Sequence, residues 1–198
     1  MLEQVDRVQV AVNDLDAAAT TFRDVFDARH VRDGELTAAG ARRRVMQAGR
    51  SEFELLAPAG DGLVREHLRQ WGERLFAAGF STRDVPAIAA RLRQRGVRFA
   101  EEGDQLLIGP DQTPGLRIVI SPDRDRQPVG LVGYLYEVTN LVDDHQAAAS
   151  FYADTFGLDA SRFSPITSKQ YGYTGQLTLF DPPDRLSRIE LSQITDWE

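Results

Sequence analysis

Three histidines and no cysteine are all that this chain of 198 residues offers to a transition metal that prefers nitrogen or sulfur. Disulfides and thiolate sites are therefore excluded. His67 lies between charged neighbours in "VREHLRQ", and His30 and His145 stand far from it and from each other. Metal sites are made by clusters, so each of the three reads as a surface residue. Serine nucleophile elbows and phosphate-binding glycine loops are missing as well. What remains is the chemistry of fixed charge. In "RVQVAV", residues 7–12, Val8, Val10 and Val12 alternate with Arg7, Gln9 and Ala11. A strand that turns its valines toward a core turns Arg7 and Gln9 the other way, and a guanidinium held there can pair with a carboxylate.

The elements that must position these residues come in repeats. "RVQVAVNDLDAAATTFRDVFDA", residues 7–28, returns as "EVTNLVDDHQAAASFYADTFGL", residues 137–158, without a gap. Each copy is a strand, an aspartate placed to cap a helix (Asp14, Asp144), and an alanine-rich helix with aromatic residues near its end. The first helix, 15–26, is expected to bury Leu15, Ala18, Ala19, Phe22, Val25 and Phe26, at spacings of three and four. A fainter copy lies between them, with a strand at 75–82, Asp84 as the cap, Pro86 in the first turn and a helix over 85–95 stopped by Gly96. Three short strand candidates follow the first and third helices, and "AEEGDQLLIGP" and "GLRIVISP" supply the closing strands of the second copy. In the first copy the three are "RHVRDGEL", "RRRVMQAG" and "SEFELLAP", and in the third "ASRFSPI", "GQLTLFD" and "SRIELSQ". The unit is thus β-α-β-β-β, written three times, which makes the fold class α+β. Residues 1–58 and 70–122 form the first two modules, the polar stretch 123–130 reads as a linker, and 131–198 forms the third.

A formal net charge of −7 and a pI near 5 argue against nucleic acid and anionic membrane as partners. The N-terminal residues contain no signal-peptide-like apolar run, so a cytoplasmic protein is expected.

The order of these motifs resembles the vicinal oxygen chelate superfamily of glyoxalases, bleomycin-resistance proteins, epimerases and extradiol dioxygenases. "FYADTFGLD", residues 151–159, carries the resemblance most strongly, with "SEFELLAP" and "RIELSQ" in support. The resemblance implies that two modules pair and curl their strands into one open cleft, here residues 1–122, with a third module besides. It also implies a metal, held by a histidine on the first strand and a Glu or Gln on the last strand of each module. Counting seven residues back from Asp14, Asp84 and Asp144 gives Arg7, Ala77 and Glu137, and the last-strand positions hold Glu54, Val119 and Glu190. No copy has the histidine, and the first pair is expected to be free of metal.

Two functional expectations stay open. In one, the cleft binds a small organic molecule through Arg7, Gln9, Glu54 and Ser81, with Glu52 on the same face, and needs no cofactor. Arg7 would then grip a ligand carboxylate or enolate, unless the Arg7–Glu54 pair serves only itself. In the other, Glu137 and Glu190 of the third module act as catalytic carboxylates, as an acid–base pair or as ligands of a divalent metal such as Fe, Mn or Zn. That site would need a missing fourth module or a second chain. An unpartnered sheet edge invites pairing, so a homodimer through the third module is expected.

Overall fold

The computed structural model describes residues 1–180 and 187–195. Its elements run β1 (Gln4–Ala11), α1 (Leu15–Phe26), β2 (Arg29–Leu36), β3 (Ala41–Ala48), β4 (Ser51–Pro58), α2 (Leu63–Trp71), β5 (Arg74–Thr82), α3 (Val85–Gln94), β6 (Ala100–Glu102), β7 (Gln105–Ile108), β8 (Ile118–Pro122), β9 (Glu137–Leu141), α4 (His145–Phe156), β10 (Ser164–Ser168), β11 (Tyr173–Leu179) and β12 (Arg188–Ile194). The β-α-β-β-β unit is present three times, and α2 connects the first copy to the second. Each copy starts its helix in the same way. The Asp14 carboxylate accepts from the amides of Asp16 and Ala17, Asp84 from Ala87, and Asp144 from Gln146 and Ala147. These side chains supply acceptors to first-turn amides that have no partner within the helix.

Compactness groups the residues differently from the repeats. One unit contains Asp6–Gly79 and Arg124–Leu135; the other contains Met1–Val5, Phe80–Asp123 and Tyr136–Glu198. In the first unit the strands run in the order β2-β3-β4-β1-β5. β1 and β4 are parallel, with Arg7 opposite Glu52 and Gln9 opposite Glu54. β3 runs antiparallel to β4 and sets Val45 against Glu54 and Gln47 against Glu52. One face of this sheet packs on α1, where Val12, Met46, Leu55 and Ala57 are buried against Phe22, Phe26 and Phe53. No residue of α1 is itself fully buried: Leu15, Ala18, Ala19, Phe22 and Phe26 pack half-buried against that core, and Val25 is not part of it. It is 55% exposed, because it falls at the rim of the helical stripe centred on Leu15, Phe22 and Phe26.

The stretch that reads as a linker is partly laid against this unit. Gly49 and Val129 exchange backbone hydrogen bonds, Arg50 N donates to Gly133 O, and Leu131 N donates to Phe26 O. Leu135 N donates to Ser51 Oγ and Gln47 Nε2 to Gln127 O.

The other unit holds the strand order β5-β8-β7-β6 and a separate sheet β10-β11-β12-β9. Ile88 and Leu92 of α3 are buried together with Phe80, Ile108, Ile118 and Ile120 of the first of these sheets, and Tyr152 and Phe156 of α4 together with Ile189 and Leu191 of β12. Arg91 of α3 donates to the carbonyls of Ala153, Asp154 and Thr155, satisfying the end of α4 where helical partners run out. No helix among the described residues is long and apolar enough to cross a membrane.

Candidate functional site

The face of the first unit turned away from α1 carries a buried cluster of charges. Parallel register brings Arg7 and Gln9 of β1 beside Glu52 and Glu54 of β4, and all four are nearly inaccessible. Arg7 Nη1 lies 2.7 Å from Glu54 Oε1 and 3.0 Å from Glu52 Oε2. Arg7 Nε and Nη2 both donate to Asp6, each at 3.1 Å. Gln9 Nε2 donates to Glu54 Oε2 at 2.8 Å, and Arg43 Nη1 lies 3.6 Å from that oxygen. On the rim, Arg32 reaches both oxygens of Glu52.

A further guanidinium enters from the polar stretch after β8. Arg126 donates through Nη1 and Nη2 to Asp6 Oδ2 at 3.1 and 3.2 Å, and its Nε lies 3.4 Å from Glu52 Oε1. Its side chain is 9% exposed. Neither Asp6 nor Arg126 is visible as a site residue in the sequence. Asp6 has the opposite strand parity to Arg7, and the only hint of Arg126 is the alternation of aspartate and arginine in "DRDR". Gly79 of β5 is the other participant that escapes a sequence reading. A Cβ there would stand 1.9 Å from Arg7 Cγ and 2.8 Å from Arg7 O, so only glycine lets the arginine stem cross β5.

The charges hold one another in the ionised state. Burial works against the Arg7 charge, but Asp6, Glu54 and Glu52 outweigh it and raise its pKa above the ordinary range. For Glu52, burial pushes upward, while hydrogen bonds from Arg32 and the charges of Arg7, Arg126 and Arg32 prevail and lower its pKa to about 2. Most of the Arg7 N–H groups are directed at protein carboxylates, which leaves little of the guanidinium for an incoming anion. One atom is left over on the acceptor side. Gln9 Oε1 is buried and has no donor among the described residues.

The structure joins Arg7, Gln9 and Glu54 into one cluster with Glu52. Ser81 belongs to the other unit, where its hydroxyl donates to Asp123 Oδ1 at 2.9 Å, and Gln4 Nε2 donates to the same oxygen. Glu137 and Glu190 share one face of the β9–β12 pair but stand out of step: Arg188 is opposite Glu137 and Thr139 is opposite Glu190. Glu137 accepts from Arg188 Nε and Thr139 Oγ1, and Glu190 accepts from Ser192 Oγ at 2.7 Å. Each carboxylate is thus engaged with its own neighbour and not with the other. His30 lies on β2, where its Nε2 is 2.9 Å from Asp33 Oδ1.

The superfamily resemblance implies a metal, and the residues of the first-unit cluster do not fit one. Arg7 and Ala77 occupy the implied histidine positions of the first two modules, and the Glu54 and Glu52 oxygens are held by guanidinium groups. A dication inserted there would face Arg7 at close range. Among the described residues, no group of three or more His, Asp or Glu side chains is arranged to hold a metal ion.

Comparison with known proteins agrees with this architecture. Solved structures with the same fold include a methylmalonyl-CoA epimerase in complex with methylmalonyl-CoA and NH4+, 23% identical, covering 65% of this chain and all of its own, with a TM-score of 0.56. The methylmalonyl-CoA epimerase of Mycobacterium tuberculosis is 24% identical over 61% of this chain and 89% of its own, with a TM-score of 0.54. That of Streptomyces coelicolor, as a variant in complex with 2-nitronate-propionyl-CoA, is 24% identical over 64% of this chain and 99% of its own, with a TM-score of 0.56. Coverage near two thirds of this chain is compatible with a further module beyond the part these structures match. No curated protein matches the sequence. The family model described as the Glyoxalase/Bleomycin resistance protein/Dioxygenase superfamily matches residues 6–110, more than half of the chain, and with the β-α-β-β-β modules in view the chain belongs to that superfamily.

Proposed function

We propose that this chain is a binding protein of the superfamily, which holds a small organic molecule against the Arg7–Gln9–Glu52–Glu54 face and uses no metal there. The observation that carries the reading is the placement of the Arg7 guanidinium between Glu54 and Glu52, 2.7 and 3.0 Å away, at a position where the superfamily resemblance implies a metal ligand. A fixed organic cation supplies positive charge to the site but cannot activate a coordinated water or shift its coordination number. That favours holding a ligand over transforming it. The buried Gln9 Oε1 supports the same reading, because an acceptor without a donor favours a molecule or a water that brings an N–H or O–H to it.

An enzymatic reading based on Glu137 and Glu190 is less well supported, since Arg188 and Ser192 already engage these carboxylates. For the third module we propose pairing with a second copy through β9, which among the described residues has a neighbour on only one side within its sheet, β12.

Metal analysis by mass spectrometry on protein purified without a histidine tag, with light scattering on the same sample, tests both statements. The expected result is a dimer with metal well below one equivalent and a melting temperature unchanged by EDTA. A stoichiometric transition metal overturns the metal-free reading, and a monomer overturns the pairing.

A further inference from the structure

We propose that Arg126 is a tethered ligand of the charged cluster, and that a small cation bearing a guanidinium or amidinium group binds there by displacing it. This rests on the reading of the cluster as a small-molecule site and names the class of molecule it takes.

Arg7, Arg32 and Arg43 reach the cluster from β1, β2 and β3, whereas Arg126 comes from outside the β-α-β-β-β sheet. It lies 120 positions from Asp6 in sequence and belongs to a segment, Arg124–Leu135, with no helix or strand of its own. The segment hides little apolar surface. Val132 packs against the α1 core, but Leu131 is 77% exposed, and the backbone is held by separate hydrogen bonds with Gly49, Arg50 and Phe26 and with the side chains of Ser51 and Gln47. Segments of this kind open locally at far lower cost than core strands.

Opening would leave a defined vacancy. Asp6 would keep Arg7, Glu54 would keep Arg7 and Arg43, and Glu52 would keep Arg7 and the rim Arg32, but Asp6 Oδ2 and Glu52 Oε1 would each lose the donor that Arg126 brings. One positive charge leaves the group, with the forked donors that carried it. Geometry narrows the cation further, because Arg126 presents both terminal nitrogens to Asp6 and its Nε toward Glu52, a fork of donors that a quaternary ammonium cannot reproduce. Gln9 Oε1 points to the same chemistry. Its amide cannot be turned over, since Nε2 is fixed on Glu54 Oε2 at 2.8 Å, so the buried oxygen remains an acceptor waiting for an N–H. The buried atom of this face left without a partner among the described residues is thus an acceptor. An anion would meet the carboxylates and an arginine whose N–H groups are already engaged.

The test uses the full chain and methylguanidinium chloride, followed by titration calorimetry, with tetramethylammonium chloride at equal ionic strength as a cation lacking N–H groups. R126A is expected to bind methylguanidinium saturably and at least about tenfold more tightly than wild type, which must first release its own arginine. Tetramethylammonium should not bind. In the wild-type chain, saturating methylguanidinium should accelerate hydrogen exchange at the amides of Val129 and Leu131, which hold the segment down. R126Q keeps more of the side-chain volume and replaces R126A if that variant does not fold. Absence of saturable binding in the variant, equal affinity in variant and wild type, or binding to the variant with no change of exchange in the wild type would each overturn the proposal; the last would make Arg126 a permanent counter-ion. Such a failure leaves the metal-free reading intact, because that reading is judged on the metal content of the unmodified chain.

Discussion

Gly79→Ala puts a single methyl group where the charged cluster is least able to accept it. The added carbon would stand 1.9 Å from Arg7 Cγ, 3.0 Å from Arg7 Cδ and 2.8 Å from the Arg7 carbonyl oxygen. Cγ is close to the backbone and cannot swing aside as a side-chain tip does, so the guanidinium must leave its place or β5 must move away from β1. If Arg7 leaves, Glu54, with a side chain 0% exposed, loses its 2.7 Å ion pair, and Asp6 and Glu52 lose a partner each. Breaking a buried pair from one side costs about 3–5 kcal/mol, and G79A should therefore cost that much although no charge is changed. Urea unfolding followed by circular dichroism measures it in wild type, G79A, R7A and the double variant. R7A removes Cγ and with it the main collision, so G79A should be milder in the R7A background by at least about 2 kcal/mol, leaving the approach to the Arg7 carbonyl as the residual cost. Equal losses in the two backgrounds, or a loss below about 1 kcal/mol in wild type, would refute the account of Gly79 as the residue that makes room for Arg7.

The Glu52 carboxyl, lowered to about 2 in the fold, stabilises the protein above its unfolded pKa near 4.5 and loses that contribution as pH falls between those values. E52Q should accordingly be less stable than wild type by about 3 kcal/mol at pH 7, with the gap closing as denaturation curves are taken from about pH 4.5 toward pH 2; a gap independent of pH would exclude Glu52 as the titrating group. R91A removes the donors at the end of α4 and should cost about 1–3 kcal/mol. Its signature is faster hydrogen exchange at the Gly157 amide, which donates to Ala153 O, with no change at the start of the helix.

Much of this architecture can be read from residues in order. The caps Asp14, Asp84 and Asp144, the aromatic helix ends and the period-two strands are local signals, and each lies where local physics puts it. The Arg7–Glu54 pair is legible for the same reason, since strand alternation fixes which side chains share a face. Asp6, Gly79 and Arg126 are not legible, because their importance comes from contact between distant stretches. Gly79 is one small residue in an apolar strand, and Arg126 sits in a polar run whose composition suits a linker as well as a strap. Val25 shows a milder limit, because a stripe at helical spacing predicts a face but not where the sheet beneath it ends.

The strap also sets an order of assembly during synthesis. Residues Asp6–Gly79 leave the ribosome well before Arg124–Leu135, with most of the second module, Phe80–Asp123, made in the interval. At about 5–20 residues per second, the nascent first module waits seconds with Asp6 and Glu52 lacking the arginine that later covers them. In the half-finished module the carboxylate face stands open without any displacement, and a cation in the surrounding solution has that interval in which to occupy it before the chain's own arginine arrives.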